Sequence, residues 1–352
     1  MLPKEALAKK GLRQFGHAHW LWRLFGNTAL CAPRAAGYMA KASASFPNGV
    51  CLVIKVRALA VLGCLAALPA AAQDRATLGF GRLFTNDALG DGEDRWHTGS
   101  YTFSLVHGPS WTGRLPDRAG VILEYRFRAD TIAASNLENP APDDRRYAGT
   151  LAIGVHTHFD AAGFDVRAGV DLVGIGPMTG IGSFQERVHE ILGLSDPDLS
   201  NQIGNRLRPT ASVEVAREVD LGGARLRPFA EAQAGAETFV RAGADVTFGS
   251  FGRGGLMLRD TVSGQLYPGI RDDGAEGISF VLGADVAHVF SSVYLPEGGQ
   301  VELTDTRTRV RGGINWRTGG SEVFYGVTWL SKEFESQPEG QLVGSLRLSL
   351  RF

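Results

Sequence analysis

The chain has 352 residues, with 36 Lys and Arg, 37 Asp and Glu and three cysteines. All three cysteines, nine of the bases and one acid lie within residues 1–72, so the remaining 280 residues carry 27 bases against 36 acids, a formal net charge of −9. A surface this acidic excludes a protein that holds nucleic acid non-specifically, and the lack of thiols beyond residue 72 excludes a disulfide-stapled secreted domain.

The first element in chain order is a predicted signal peptide at residues 50–72. Lys55 and Arg57 precede an apolar run at residues 58–68, and the sequence PAAA then offers an Ala-x-Ala cleavage site before Gln73. The run is too short to span a bilayer as a helix. We therefore expect export and a mature domain at residues 73–352. Cys64 also fits a lipobox (VLGC), although the apolar run continues beyond it.

Residues 1–49 are basic and patternless, and a signal peptide does not account for them. One explanation is a start codon placed too far upstream, with the true start at Met39 or at a later alternative codon. The other is a functional leader. We favour the first, and we expect residues 1–49 to be an unstructured or wrongly included extension.

The mature chain alternates apolar and polar residues in many short segments, and its last strand is the clearest. Residues 342–352 place leucines on one face and Arg347 and Arg351 on the other, and they end on Phe352. A strand of about ten residues that is apolar outside and polar inside suits a bilayer-spanning barrel, whereas two arginines are hard to place in the dry core of a soluble sandwich. The alternating segments are 77–84, 98–107, 122–129, 151–159, 164–172, 211–219, 224–236, 238–248, 278–290, 301–316, 322–334 and 342–352.

These segments predict an all-β protein, an antiparallel transmembrane β-barrel of about twelve strands. Trp316, Tyr325 and Trp329 lie near strand ends, where aromatic girdles form. Two stretches do not alternate, residues 86–97 and 174–208, and their Gly, Asp, Asn and Pro content indicates loops. Long loops on a rigid barrel are frequent positions for functional residues.

The second loop contains a predicted short helix at residues 180–193, GIGSFQERVHEILG. Phe184, Val188 and Ile191 recur at helical spacing, and Gln185 and His189 are four residues apart, so they share one face. The simpler interpretation is a loop histidine with an incidental polar contact. The alternative is a catalytic pair presented by the helix.

The first loop is acidic and allows two interpretations. Asn86 and Asp87 follow a strand end, and Asp91, Glu93, Asp94, His97 and Thr98 complete the set. This is either an ordinary acidic turn or an oxygen-rich site for a hard cation such as calcium, which accepts carboxylate, amide and water oxygens. No EF-hand spacing is present to choose between them.

Several stretches taken in order resemble one family, the outer-membrane lipid A deacylases. They are Asn86 with Asp87, residues 94–99 (DRWHTG), 144–149 (DRRYAG), 174–180 (GIGPMTG), Gln185 with His189, and 201–205 (NQIGN). The likeness runs through most of the mature chain. It implies a twelve-stranded barrel whose active site lies between the outer wall and a short loop helix. It also implies calcium-assisted hydrolysis of the 3′-linked acyloxyacyl group of lipid A.

Carried over by motif, the resemblance makes His189 the general base that activates water and Gln185 its neighbour on the helix. Asn86, Asp87 and Thr98 would line the site, and Asp87, Thr98 and Asp196 are the expected calcium ligands. A neutral histidine, with a pKa near ~6.5, can accept the proton of water, and a calcium ion can stabilise the oxyanion that forms.

One position departs from the family. Six residues after the histidine, the family has a functional glutamate, whereas this chain has Ser195. Either a neighbouring carboxylate such as Asp196 replaces it or the affinity for metal is weakened. No Gly-x-Ser-x-Gly motif supports a serine nucleophile instead.

The resemblance implies a lipopolysaccharide substrate and a monomer in the Gram-negative outer membrane, with no nucleic-acid partner. Two other hypotheses stay open: a lipase that acts on another envelope lipid, and a catalytically silent porin or structural barrel. Polar inward residues do not separate these, because channels and plugged enzymes both have polar interiors.

Overall fold

A closed antiparallel barrel of twelve long strands forms the folded domain. The computed structural model describes residues 75–271, 275–299 and 301–350. The strands are β1 (Ala76–Asn86), β2 (His97–Gly108), β3 (Ile122–Ile132), β4 (Ala148–Ala161), β5 (Phe164–Ile175), β6 (Arg206–Ala216), β7 (Val219–Asp220), β8 (Ala224–Ala234), β9 (Glu237–Phe248), β10 (Leu256–Arg259), β11 (Leu266–Ile270), β12 (Gly277–Ser292), β13 (Thr306–Thr318), β14 (Ser321–Leu330) and β15 (Gln341–Ser349). The predicted fold is confirmed. The predicted signal peptide and N-terminal extension lie outside the described residues.

Each of the twelve barrel strands pairs with the next barrel strand along the chain, and the pairing of the first strand with the last closes the sheet. β6 pairs with β8, with the two-residue β7 as a side extension, β9 pairs with β12, and β1 pairs with β15. Charged residues of the alternating segments point inward, as Glu124 and Arg126 do, and large apolar residues such as Ile153 point outward. The predicted segments 301–316 and 322–334 are partly wrong, because the strands there are Thr306–Thr318 and Ser321–Leu330.

The connection from β9 to β12 enters the barrel, a feature that the sequence did not predict. Its hairpin, β10 and β11, packs Leu258 and Tyr267 into an apolar cluster with inward residues of the wall. Two glycines of β1 allow this close approach. A Cβ at Gly79 would lie 2.4 Å from the carbonyl oxygen of Gly269, and one at Gly81 would lie 2.7 Å from that of Pro268.

Buried ion pairs occupy the lumen beside this hairpin. Arg311 pairs with Asp245 at 2.6 Å and with Asp285 at 2.5 Å, and Arg259 of β10 pairs with Glu214 of β6 at 2.9 Å. Such pairs are tolerated in a low-dielectric interior only when each charge has its partner, so they fix the hairpin against several strands at once. This part of the lumen is therefore filled by protein.

Two segments at one rim of the barrel fold outward over the wall. They are the loop from β1 to β2, which begins with a 3₁₀ helix at Asp87–Leu89, and the loop from β5 to β6, which contains α1 (Ile181–Leu192). Outward-facing glycines accommodate both loops. A Cβ at Gly149 would lie 2.6 Å from the Cβ of Ile181, and one at Gly344 would lie 2.2 Å from the carbonyl oxygen of Leu89.

The helices themselves are short, and α1 has 12 residues. None of the helices within the described ranges combines the length and the apolar character needed to cross a membrane as a helix. The predicted helix at residues 180–193 is confirmed, with left-handed glycines at both ends, Gly180 (φ 70°) and Gly193 (φ 69°).

Candidate active site

The loop from β1 to β2 is organised by Asn86 and Asp87. The Asn86 amide oxygen accepts the Ala88 N–H at 2.8 Å, and its amide nitrogen donates to the carbonyl oxygen of Thr98. The Asp87 carboxylate is buried, and its two oxygens accept the N–H groups of Ala88 at 2.8 Å and Arg95 at 2.7 Å. Both side chains therefore hold the two ends of the loop together.

Thr98 lies at a β-bulge. The register of β2 against β3 shifts between His97 and Gly99, so Thr98 is the extra residue, and it is buried. Bulges re-aim side chains and are common next to active sites. The bulge lies at the end of the loop from β1 to β2, where the Asn86 amide nitrogen donates to the Thr98 carbonyl oxygen.

Asp94 is the carboxylate that the loop turns toward α1. Asp94 (φ 46°) and Trp96 (φ 50°) both adopt left-handed backbone conformations, which are costly for residues other than glycine. The buried Trp96 ring packs with Leu295 and Phe334, and the Trp96 carbonyl oxygen accepts the Ala133 N–H at 2.8 Å. This anchoring fixes the direction of Asp94.

α1 places Gln185 and His189 against the barrel, and both are buried. The Nδ1 atom of His189 lies 2.5 Å from the carbonyl oxygen of Ser195. A carbonyl oxygen only accepts, so in the neutral ring Nδ1 carries the proton and Nε2 keeps the lone pair. The main chain supplies this contact, so the family departure at Ser195 does not remove the group that orients the imidazole.

The Nε2 atom of His189 faces two polar groups. It lies 3.5 Å from a carboxylate oxygen of Asp94 and 3.4 Å from the amide nitrogen of Gln185. The hydroxyl of Tyr147 donates to the amide oxygen of Gln185 at 2.9 Å, which leaves the NH₂ group directed at His189. Burial raises the pKa of Tyr147 above its ordinary range, so the hydroxyl stays a donor.

Burial raises the pKa of two carboxylates in this loop, Asp87 and Asp94. Burial and the nearby Asp94 and Asp91 raise the pKa of Asp87 to about 7, against the opposing hydrogen bonds from main-chain N–H groups. Burial also raises the pKa of Asp94, while His189 opposes that rise. Negative charge is therefore unfavourable in this loop unless a cation or an imidazolium lies beside it.

The predicted site residues are only partly brought together. Gln185 and His189 share a face as predicted, and Asn86, Asp87 and Thr98 form one loop, but the carboxylate in contact with His189 is Asp94. Asp196 is exposed in the segment after α1. No role was predicted for Tyr147 from the sequence, and Asp94 was placed only among the possible oxygen donors of the acidic loop, not beside His189. The carbonyl of Ser195 has no sequence signal.

No group of three or more His, Cys, Asp or Glu side chains in the described ranges is arranged around a common metal position. Both Asp87 oxygens already accept main-chain N–H groups. The Asp94 side chain is 39% exposed and lies beside Nε2. The donor set thus fits a largely hydrated hard cation at Asp94, since calcium combines carboxylate oxygens with water in a flexible shell.

The raised pKa of Asp87 predicts a pH dependence of the loop. Between its ordinary pKa of 3.8 and about 7, the folded loop binds a proton that the unfolded chain does not. This contribution to stability is therefore complete below the lower value and is lost as pH rises through the higher one. We therefore expect residues 87–96 to be less protected from hydrogen exchange at about one pH unit above 7 than at about one pH unit below 7.

The matched control is Asp87→Asn, which keeps the shape and cannot titrate. Its loop should show no such difference once intrinsic exchange rates are taken into account. Equal changes in the wild type and the variant would contradict the assignment of this titration to Asp87.

Tyr147→Phe is expected to lower the rate constant of the reaction at His189 by roughly tenfold, with KM nearly unchanged. The variant removes the donor that fixes the Gln185 amide and leaves a buried acceptor without a partner, at about 1–3 kcal/mol. The kcat and KM values are compared with those of Tyr101→Phe, which alters an outward-facing tyrosine of β2. A change in KM alone would show that Tyr147 acts on substrate binding and not on the imidazole.

The fold and the site define a membrane β-barrel with a histidine-centred site on its outer wall. Residues 59–352 match the family model described as outer membrane protein LpxR, so the chain belongs to this family. This is the outer-membrane lipid A deacylase family that the motifs indicated, and that prediction is confirmed.

A solved structure of a family member shares this fold. LpxR from Salmonella typhimurium is 19% identical, with a TM-score of 0.61, and the match covers 78% of this chain and all of that one. The NanC porin is 7% identical, with a TM-score of 0.36, and the match covers 77% of this chain and 100% of that one. The β-domain of the Bordetella autotransporter BrkA is 12% identical, with a TM-score of 0.31, and the match covers 77% of this chain and 99% of that one. No individually curated protein sequence matches significantly.

Proposed function

We propose that this outer-membrane protein is a lipid A 3′-O-deacylase that hydrolyses the 3′-linked acyloxyacyl ester with water activated by His189. One observation carries the proposal: Ser195 holds Nδ1 of His189 at 2.5 Å, which leaves the basic Nε2 atom facing Gln185 and Asp94. A porin has no use for a buried imidazole in a fixed tautomer on the outer wall.

The residues of this chain supply the proton transfers. Nε2 of His189 removes a proton from a water molecule as that water attacks the ester carbonyl. The imidazolium that forms is stabilised by the Asp94 carboxylate and by the Ser195 carbonyl oxygen, which still accepts Nδ1–H. Nε2 then gives its proton to the sugar oxygen as the ester C–O bond breaks, so that the sugar leaves with a free hydroxyl and the acyl group leaves as a carboxylic acid. Gln185, fixed by Tyr147, donates from its NH₂ group toward Nε2 while the ring is neutral, and it gives up this contact when Nε2 takes the proton.

Calcium is the cofactor in this proposal. Asp94 would hold it, with Asp87, Thr98 and Asp196 as the further oxygen donors that the family resemblance implies. A bound calcium ion would stabilise negative charge on the ester carbonyl oxygen. Support comes from the pKa of Asp87, which burial raises and the nearby Asp94 and Asp91 raise further, because a cation beside these carboxylates would favour their charged forms.

The position of the site suits a substrate that lies in the membrane. The loop from β1 to β2 and α1 both rest on outward glycines, so the acyl chains of a lipopolysaccharide molecule can lie along the apolar wall while the ester reaches His189. We propose a monomer in the Gram-negative outer membrane, because one copy of the chain supplies all of these groups.

The test is the mass spectrum of lipid A from cells that express the chain in their outer membrane, with and without a chelator. Loss of the mass of the 3′ acyloxyacyl group, reversed by the chelator, is the expected result. Intact lipid A with hydrolysed phospholipids would favour a lipase for another envelope lipid. If both lipid A and the phospholipids stayed intact, the result would favour a catalytically silent barrel.

A further inference from the structure

α1 exposes large apolar residues and buries two polar ones. Phe184 is 65% exposed, Ile191 71% and Leu192 64%, whereas Gln185 and His189 are buried against the barrel. A helix on the surface of a water-soluble protein has the opposite arrangement, because its apolar stripe faces the core. Three large apolar side chains on one short helix therefore need an apolar environment outside the protein.

The helix has three separate faces. Successive residues are about 100° apart around an α-helix, so His189 and Gln185 define the face toward the wall. One flank beside that face carries Phe184, Val188, Ile191 and Leu192, and the other carries Ser183, Glu186, Arg187 and Glu190. The two flanks separate apolar from charged side chains. A helix at a membrane interface has the same division.

The apolar flank is continuous with the outer wall of the barrel. Ile181, which lies on this flank, packs on the outward Gly149 of β4, and the methyl group of Met178 lies 3.2 Å from the position of a Cβ at Gly174 of β5. The next outward positions of the same strands are apolar, and Ile153 is 62% exposed and Leu172 40%. One apolar surface thus extends from the wall onto the helix.

We propose that α1 is an interfacial helix whose apolar flank inserts among the acyl chains of the membrane leaflet around the barrel, while its charged flank faces the headgroups and water. The acyl-chain layer already covers the outward residues of a membrane barrel, and the flank extends that same surface. The wall-facing side chains are held by Ser195 and Tyr147, so the helix cannot turn to bury its apolar residues.

The insertion depth of α1 sets the level of His189, a step that rests on the proposed function. The ester linkages of lipid A lie between its sugars and its acyl chains. A helix that rests at this boundary holds the Nε2 atom of His189 at the level of the ester. The membrane would then help to position the base.

Spin labels on single cysteines test the insertion directly, because residues 73–352 contain no native cysteine. Phe184→Cys and Leu192→Cys report on the apolar flank, and Ser183→Cys and Glu190→Cys are matched controls on the charged flank. The labelled protein is reconstituted in vesicles of phosphatidylethanolamine and phosphatidylglycerol. Collision with oxygen, which concentrates in acyl chains, is compared with collision with a water-soluble nickel chelate.

We expect labels on the apolar flank to collide mainly with oxygen and labels on the charged flank mainly with the chelate. The ratio of the oxygen collision rate to the chelate collision rate should differ by roughly tenfold between the two flanks. Equal exposure of both flanks to the chelate would overturn the proposal. Shielding of the apolar flank from both reagents would overturn it too, in favour of a second copy of the chain. Neither readout depends on hydrolysis, so failure of the proposed function would leave the result intact.

Discussion

His189→Ala is expected to lower the rate of lipid A deacylation by roughly 10²–10⁴-fold, the usual contribution of a general base. The variant removes the only nitrogen in the described site whose lone pair is fixed by a hydrogen bond on the opposite side of its ring. The measurement is the rate at which the mass of the 3′ acyloxyacyl group disappears from lipid A in outer membranes.

The matched control is His288→Ala. His288 is an exposed histidine of β12, where it packs edge-on against Phe290 with ring centroids 4.7 Å apart. This variant should deacylate lipid A at the wild-type rate. If His189→Ala also kept that rate while the barrel remained folded, as judged by heat-modifiable migration in gels, a general base at this position would be ruled out.

Asp94→Asn is expected to lower the deacylation rate by roughly 100-fold, because the amide has the shape of the carboxylate without its charge. The charge serves two purposes in the proposal. It stabilises the imidazolium of His189, and it supplies the calcium ligand nearest the base. Burial raises the pKa of Asp94, so the wild-type rate should rise with pH as this group ionises, and the variant should lose that rise.

A calcium titration separates the two purposes of the charge. If Asp94 binds calcium, the variant needs more calcium to reach its half-maximal rate. If Asp94 acts only on the imidazolium, the calcium requirement is unchanged and the maximal rate falls. Glu93→Gln, in the same loop and exposed, is the control. A variant that keeps both the rate and the calcium requirement of the wild type would contradict any role for Asp94.

Most of the barrel could be predicted because its signals are local. A strand that faces lipid on one side and a polar lumen on the other alternates with period two, and α1 shows helical periodicity over its own 12 residues. The hairpin of β10 and β11 has neither signal. Its strands have four and five residues, and β11 is buried on all sides, so no alternation marks it.

The site was predictable where it depends on sequence spacing and not where it depends on the backbone. Gln185 and His189 share a face because they are four residues apart. The contact between Asp94 and His189 requires left-handed backbone at Asp94 and Trp96, conformations that those residues seldom adopt. Any residue at position 195 could supply the carbonyl oxygen that binds Nδ1, so its identity gives no indication of this role.

The inner hairpin also bears on how the barrel is assembled. Within the described residues, the first and last strands meet along a seam of three registered pairs, from Phe84 with Leu346 to Asn86 with Gly344. Below those pairs, β1 is supported from within by β11, through the contacts at Gly79 and Gly81. Closure of the barrel and packing of the inner hairpin therefore stabilise each other, because β1 takes part in both.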